Sequence, residues 1–438
     1  MEQDLSQSET LRLPFVSSTR ELPEGNRWQR SFALLLSGSL VMLFGSVAVS
    51  GLNFAYNVAT ARMLGPAEFS HATAATTLLM LCSALTLSFQ LVCAKFVARN
   101  DQPAGKAKVY RSLMRRAWLV AAILAGGLAL FERPMSDYLR LPSNHMLILL
   151  AAGMAFYVPL GVRRGNLQGL CHFRSLSWNM IVEAGTKLLF TILLVGVGYG
   201  VMGAVGGTTA SVLAAFMLPV KVVKSHAEPD EYIPTSFREG IQAIVFFVGQ
   251  VVINNIDILL VKHYFRAEAA GMYAAVALVG RVIYFAAWSV ISAMFPISAA
   301  AREDENKLQV LLVPLAIVGL ICVAATFILW MFPDPIMGMI FGSRFQGEES
   351  LLTLFAINTG IYAISVVLMT YEMSRKIANT GWLQLVFSGG IMVMIAFLHS
   401  SLEQVVVLQI ALKVVLLLFV SIPFLRNFRA PARLQEAA

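Results

Sequence analysis

The sequence predicts an all-α, polytopic membrane protein of about 12 transmembrane helices. Three observations carry that prediction. Of 438 residues, 58% are hydrophobic and only 13% are charged, against about 25% charged in soluble proteins. Apolar runs recur along nearly all of the chain after residue 30, and each has the roughly 20 residues that a helix needs to cross about 30 Å of hydrocarbon. Finally, assigning the loops alternately to two sides leaves about 22 Lys and Arg on one side and about 6 on the other, which places both termini in the cytoplasm by the positive-inside rule. The net charge of +8 is thereby a topology signal, and nucleic acid is not an expected partner.

The elements follow in order. Residues 1–30 are polar, of mixed charge, and interrupted by Pro14 and Pro23, which reads as a loose cytosolic tail rather than a signal peptide. The first span covers 31–61 and is rich in Ser, Gly and Ala, a composition that allows close helix approach or a wet lining. A corner at 62–66 leads to a span at 68–94, and the basic segment 95–116 must then face the cytoplasm. That segment has a second reading, contact with anionic lipid head groups. Spans at 117–131, with room to extend back into the basic segment, 144–162 and 175–197 follow, and a sixth begins after Gly198, Tyr199 and Gly200. Arg163 and Arg164 lie at the cytoplasmic mouth of the fourth.

The polar, proline-bearing stretch 223–240 is the best join between two halves. The expected units are therefore a tail (1–30), a six-helix bundle (31–224), a linker (225–237), a second six-helix bundle (238–425) and a basic cytosolic tail (426–438). The second bundle holds spans at 238–261, 270–298, 309–332, 350–371, 381–398 and 403–425, with a polar corner from Lys262 to Glu268 between its first two. The four cysteines, Cys82, Cys93, Cys171 and Cys322, show no paired spacing, so neither a disulfide nor a metal site is expected.

At an offset of about 200 residues the two halves align weakly. NVATARMLGPAEFSHATAA from Asn57 falls over DILLVKHYFRAEAAGMYAA from Asp257. Both segments end an apolar span, turn near a basic residue (Arg62, Lys262), carry Ala-Glu and resume with small residues. Parallel repeats of this kind are related by an axis along the membrane normal, which favours rocking-bundle alternating access around a site between the halves.

The corner MLGPAEF (63–69), the run RRGNLQGLCHFRSLSWNMIVEAGTKLLF (163–190) and the hairpin from DILLVKHYF to AGMYAAVALVGR (257–281), followed by AMFPISAA (293–300), carry a family resemblance. In order and spacing they resemble the Wzx-type polysaccharide-export and O-antigen flippases of the multidrug/oligosaccharidyl-lipid/polysaccharide exporter superfamily, over residues 31–425. Ser70 departs from that pattern, which more often has Gly there. The resemblance implies a MATE-like fold of two six-helix bundles with a pseudo-two-fold repeat. It also implies a cavity lined by spans 1, 2, 7 and 8, and a cargo of undecaprenyl-pyrophosphate-linked oligosaccharide flipped across the bacterial inner membrane. Such a cargo serves O-antigen, capsule or exopolysaccharide synthesis, with a polysaccharide polymerase and a chain-length regulator as candidate partners beside the membrane lipids.

A buried pyrophosphate needs cations. Arg281, near mid-depth of its span, is the first candidate because its guanidinium stays charged and grips phosphate oxygens as a fork; its alternative is neutralisation by a buried carboxylate. Lys187 and Lys413 come second. Lys187 has Glu183 one turn before it, where the two can neutralise each other. Asp257 follows the amides Gln250, Asn254 and Asn255 and either couples transport to sodium or protons or pairs with Lys262. Glu183 is the second coupling candidate. Asn53, Asn57 and Asn254 are candidates to bond sugar hydroxyls.

No cofactor is expected. The chain has no P-loop, no Asp-rich cluster and no long external loop, which argues for a transporter and against a membrane glycosyltransferase or an ATPase. The rivals are a multidrug or cation antiporter, which should prefer carboxylates and aromatics, and a lipid II flippase, for which about 12 spans are too few against the 14 typical of that group.

Overall fold

Hydrocarbon offers no hydrogen-bond partner to a peptide group, so a spanning segment must close its own backbone bonds. This chain does so with helices. A computed structural model describes residues 27–220, 233–234, 237–300, 307–347, 349–375 and 380–435. In order these form α1 (Arg27–Leu64), α2 (Pro66–Arg99), α3 (Pro103–Leu130), α4 (Glu132–Tyr138), α5 (His145–Gly169), α6 (Phe173–Leu194) and α7 (Gly200–Met217). The second half holds α8 (Phe237–Tyr264), α9 (Ala267–Ala300), α10 (Lys307–Met331), α11 (Pro333–Phe341), α12 (Glu349–Arg375), α13 (Leu383–Phe397) and α14 (Leu402–Gln435).

Eleven stretches among the described residues are long and apolar enough to cross a membrane. One of them, Phe173–Met217, has 45 residues, about 68 Å of helix at 1.5 Å per residue and twice what a bilayer requires. It is two spans. A turn with Gly198 at φ 101° and Gly200 at φ 51° folds α7 back on α6, a backbone path that favours glycine. Among the described residues the spans therefore number twelve, the number the sequence predicts.

The packing repeats. In the first half α2 packs on α5, α1 on α6, α3 on α5, α5 on α7 and α6 on α7. In the second half α9 packs on α12, α8 on α13, α10 on α12, α12 on α14 and α13 on α14. Each of these five contacts in one half thus has its counterpart in the other. The short helices α4 and α11, which the hydropathy runs do not reveal, also occupy equivalent places, after the third span of each half. One large apolar core lies within the first half. The other lies in the second half but takes in Ala61 and Phe69 of the first. Apolar side chains such as Leu320, Val323 and Leu418 remain exposed, as lipid-facing positions must.

Between the halves, α2 packs against α8 and α9. At the end of the bundle that carries the Gly65 and Phe265 turns, here the corner face, α2 and α9 meet tightly. A Cβ built on Gly271 would overlap the Pro66 carbonyl oxygen. At the opposite, basic face, Asn100 caps α2 and is buried. Its Oδ1 accepts from the Ile233 amide (3.1 Å) and its Nδ2 donates to the Ile233 carbonyl (3.3 Å).

Two boundaries, the corner and the C-terminal tail, differ from expectation. The corner expected from Lys262 to Glu268 is shorter: α8 runs to Tyr264, only Phe265 and Arg266 separate it from α9, and Lys262 is buried. Two to five residues are enough to join antiparallel helices. The basic segment 95–116 is mostly helical, in α2 and α3, and α14 runs on to Gln435 through the expected tail. The linker 225–237 and the charged turn 302–307 lie almost wholly outside the described residues, as does most of the tail 1–30.

Gly271→Ala is expected to destabilise the protein by about 1 to 3 kcal/mol, because its neighbour is backbone and has no rotamer to yield. Gly126→Ala, which meets nothing within 4 Å, serves as control, with thermal unfolding in detergent as the measurement.

Candidate functional site

The second half holds a buried polar network on five helices. Gln250, Asn254 and Asp257 recur at helical spacing and share one face of α8. Asp257 is 2% exposed and is held from two directions by α9. The Tyr273 hydroxyl donates to its Oδ2 (2.8 Å), and Arg281 Nη2 lies 3.4 Å from its Oδ1. Arg281 Nη1 also donates to Asn255 Oδ1 (3.1 Å). The network continues outward: Gln409 of α14 donates to the Tyr273 hydroxyl (2.8 Å), and Asn358 of α12 donates to Gln409 (3.3 Å).

A parallel branch surrounds Tyr362 of α12. Its hydroxyl donates to Gln384 Oε1 (2.6 Å), and Lys413 Nζ sits 5.2 Å from its ring centre. Lys413 is 3% exposed and within electrostatic reach of both Asp257 and Arg281. Gln250 donates to the Tyr284 hydroxyl (2.5 Å), and the Tyr284 ring lies against that of Tyr362.

The first half has its own cluster. Lys187 of α6 sits 3.9 Å above the Tyr56 ring of α1 and donates to Asn53 Oδ1 at 3.5 Å. Tyr56 in turn bonds Thr208 of α7. The expected Glu183–Lys187 neutralisation is not the arrangement found. Glu183 accepts a close hydrogen bond from Arg164 of α5, whose Nε donates to Asn179 Oδ1 (2.8 Å). A planar donor fork satisfies a carboxylate and an amide together, which an ammonium one turn away does not. Arg164 is accordingly buried, 6% exposed. Arg163, also expected at the mouth, donates to the Leu218 carbonyl at the end of α7 and covers the Phe216 ring.

Beside the Glu183–Arg164 pair, the other predicted residues fall into separate groups. Arg281, Asp257 and Lys413 come together, as do Lys187 and Asn53. Asp257 takes Arg281 rather than Lys262, because α9 returns directly beside α8. The amide of Asn57 donates to the Asn53 carbonyl and that of Asn254 to the Gln250 carbonyl, each on its own helix. Among the described residues no hydrogen bond carries Asn53 or Asn57 across to the second-half network. Gln384, Gln409 and the tyrosines were missed, although the two glutamines interrupt apolar runs, and a polar group at that depth is itself a signal.

The arrangement leaves an imbalance of charge. Arg164 is matched by Glu183 and Arg281 by Asp257. Lys187 and Lys413 have tyrosine faces, and Lys187 the Asn53 amide, but among the described residues neither has a carboxylate in an ion pair. Such a site is suited to an anion.

The family model described as "Polysaccharide biosynthesis protein" matches residues 35–302. The chain belongs to the polysaccharide biosynthesis protein family. A curated relative of this family member is the succinoglycan biosynthesis transport protein ExoT of Rhizobium meliloti (strain 1021), 23% identical over 367 residues, covering 76% of this chain and 70% of ExoT. Among solved structures, an inward-facing multidrug resistance MATE family transporter of the MOP superfamily superposes with TM-score 0.68 at 14% identity, covering 87% of this chain and 97% of its own. The lipid II flippase MurJ in an inward closed conformation gives TM-score 0.69 at 13% identity, covering 87% of both chains. At these identities the structural likeness shows the fold. The family member is a multi-pass membrane protein of the MATE-like, two-bundle type.

Removing one partner of the Asp257–Arg281 pair strands a charge, a loss of about 3 to 5 kcal/mol for a buried pair. Asp257→Leu and Arg281→Met should each lower the unfolding midpoint in detergent more than the double substitution does. Equal additivity would place the two groups out of contact.

Proposed function

We propose that this protein is a flippase: a transporter, not an enzyme, that carries a lipid-linked, pyrophosphate-bearing oligosaccharide across the bacterial inner membrane by alternating access. Both termini lie in the cytoplasm, and the two bundles, 31–224 and 238–425, rock about the pseudo-axis. The observation that carries the reading is a pair of lysines, half-buried Lys187 and buried Lys413, that among the described residues stand in no ion pair, beside the paired Arg281. An unmatched cation in hydrocarbon costs at least about 2.5 kcal/mol, a cost that an anionic cargo relieves each time it enters.

The residues divide the work. Lys187 and Lys413 attract the pyrophosphate. Arg281 joins them by exchanging Asp257 for a phosphate oxygen, and Asn53, Asn57 and Asn254 bond sugar hydroxyls. The exchange leaves Asp257 with Tyr273 as donor and free to take sodium or a proton, which couples the cycle to an ion gradient; Glu183 is the second coupling candidate. Membrane lipids, a polysaccharide polymerase and a chain-length regulator are the expected partners. No cofactor and no nucleic acid enters the cycle.

The family supports this assignment, and ExoT, by its name a transport protein of succinoglycan biosynthesis, supports a saccharide cargo. A cation antiporter on the same fold would place carboxylates where these lysines stand.

Cells lacking the protein should lose surface polysaccharide and hold its lipid-linked precursor in the cytoplasmic leaflet. Normal polymer with no trapped precursor would exclude the flippase reading. In complementation, Lys187→Met and Lys413→Met should each reduce export about tenfold or more, the scale of one charge-assisted contact to phosphate. Arg163→Ala, which loses a helix-end bond and a contact with the Phe216 ring, should export nearly normally. Export indifferent to both sodium and proton gradients would remove the coupling role from Asp257.

A further inference from the structure

Two long-range contacts cross between the halves at the corner face, and they mirror each other. At the end of α1, Arg62 Nε donates to the Ile340 carbonyl (2.7 Å) and its Nη2 donates to the Met339 carbonyl. Those carbonyls belong to the last turn of α11, in the other half. At the end of α8, His263 Nδ1 lies 2.7 Å from the Tyr138 carbonyl, the last residue of α4, again in the other half. A carbonyl only accepts, so Nδ1 carries the proton and donates. The His263 ring also stacks on the Tyr138 ring at 3.9 Å and 8°.

The last carbonyls of a helix have no partner within it, and a basic side chain supplies one. Each half thus closes the open end of the other half's short helix. The elements are repeat equivalents, α1 with α8 and α4 with α11. The residues are not identical in position: Lys262 aligns with Arg62, and His263 follows it by one.

Apolar contacts flank both crossings. Phe69 of α2 meets Phe345 edge-on at 6.0 Å. Ala74 of α2, Leu139 and Leu259 of α8 form a small buried cluster. Gly271 abuts Pro66. These contacts seal the seam between the halves at this end.

We infer that Arg62 on the end of α11 and His263 on the end of α4 form a two-part latch that holds the corner face shut and must release for the halves to separate there. The short helices are the strike plates, which explains why both halves keep one after the third span although neither helix spans anything. The latch is a property of the resting protein and is read without cargo, so its failure and that of the flippase reading are separable.

The test uses the full chain in lipid nanodiscs with Cys171→Ser, which removes the one exposed cysteine among the four, and Ala74→Cys as a reporter. Ala74 is fully buried in the seam. A water-soluble maleimide should label the reporter about tenfold faster when Arg62→Ala and His263→Ala are combined, the scale on which losing charge-assisted bonds shifts a two-state equilibrium. Each single variant should fall between. Arg62→Lys, which keeps a cationic donor, should restore most of the protection. Native Cys93, buried between α2 and α5, reports helix packing and should stay unlabelled throughout. A reporter rate that the double variant leaves unchanged, or that rises only together with labelling of Cys93, overturns the latch.

Discussion

A membrane interior penalises a polar group without a partner, and this constraint organises most of the molecule. It makes the spans helical, and it turns the amides of Asn53, Asn57, Asn254 and Asn255 back onto carbonyls one turn earlier. It also gathers the charges into pairs. Asp257 is bonded from two sides and Glu183 is clasped by an arginine that also satisfies an amide. Lys187 and Lys413 stand beside these pairs without a carboxylate in an ion pair among the described residues. Their tyrosine faces offer partial compensation, and a cation held that way is easier to recruit than one locked to a carboxylate.

The repeat is faithful in its helix packing and unfaithful in its chemistry. The main helix partners match between the halves, yet the connected network of tyrosines, amides and Asp257 is confined to the second half. The first half offers a smaller cluster around Tyr56 and Lys187. Backbone packing in a bilayer is governed by small residues and shape, which a duplicated fold retains. The polar interior is free to diverge, and divergence is what gives a symmetric scaffold one oriented path.

Much of the fold was legible in the sequence, because spans announce themselves by length and apolarity. The turn at Gly198 and Gly200 was readable for the same reason glycine is used there. Short helices such as α4 and α11 were not, since seven or nine residues fall far below any hydropathy window. The charged residues of the site were found one by one, as interruptions of apolar runs. Their partners were harder. Local spacing proposed Lys187 for Glu183 and Lys262 for Asp257, whereas both carboxylates chose an arginine on another helix, because helix-to-helix distance is invisible along the chain. The tyrosines were missed because an aromatic residue in an apolar run looks like packing until its hydroxyl is seen to be bonded.

The amide of Asn100 bears on how the halves are joined. By grasping both the N–H and the C=O of Ile233, it does for one residue what a neighbouring strand would do, and it fastens the chain to the end of α2 just before α8 begins. The clasp lies at Ile233, four positions before α8 begins at Phe237. An anchor at one point acts as a pivot. Any rotation of the second half that keeps this clasp intact must swing about the basic end of α2, so displacement grows with distance from it and is greatest at the opposite face of the membrane.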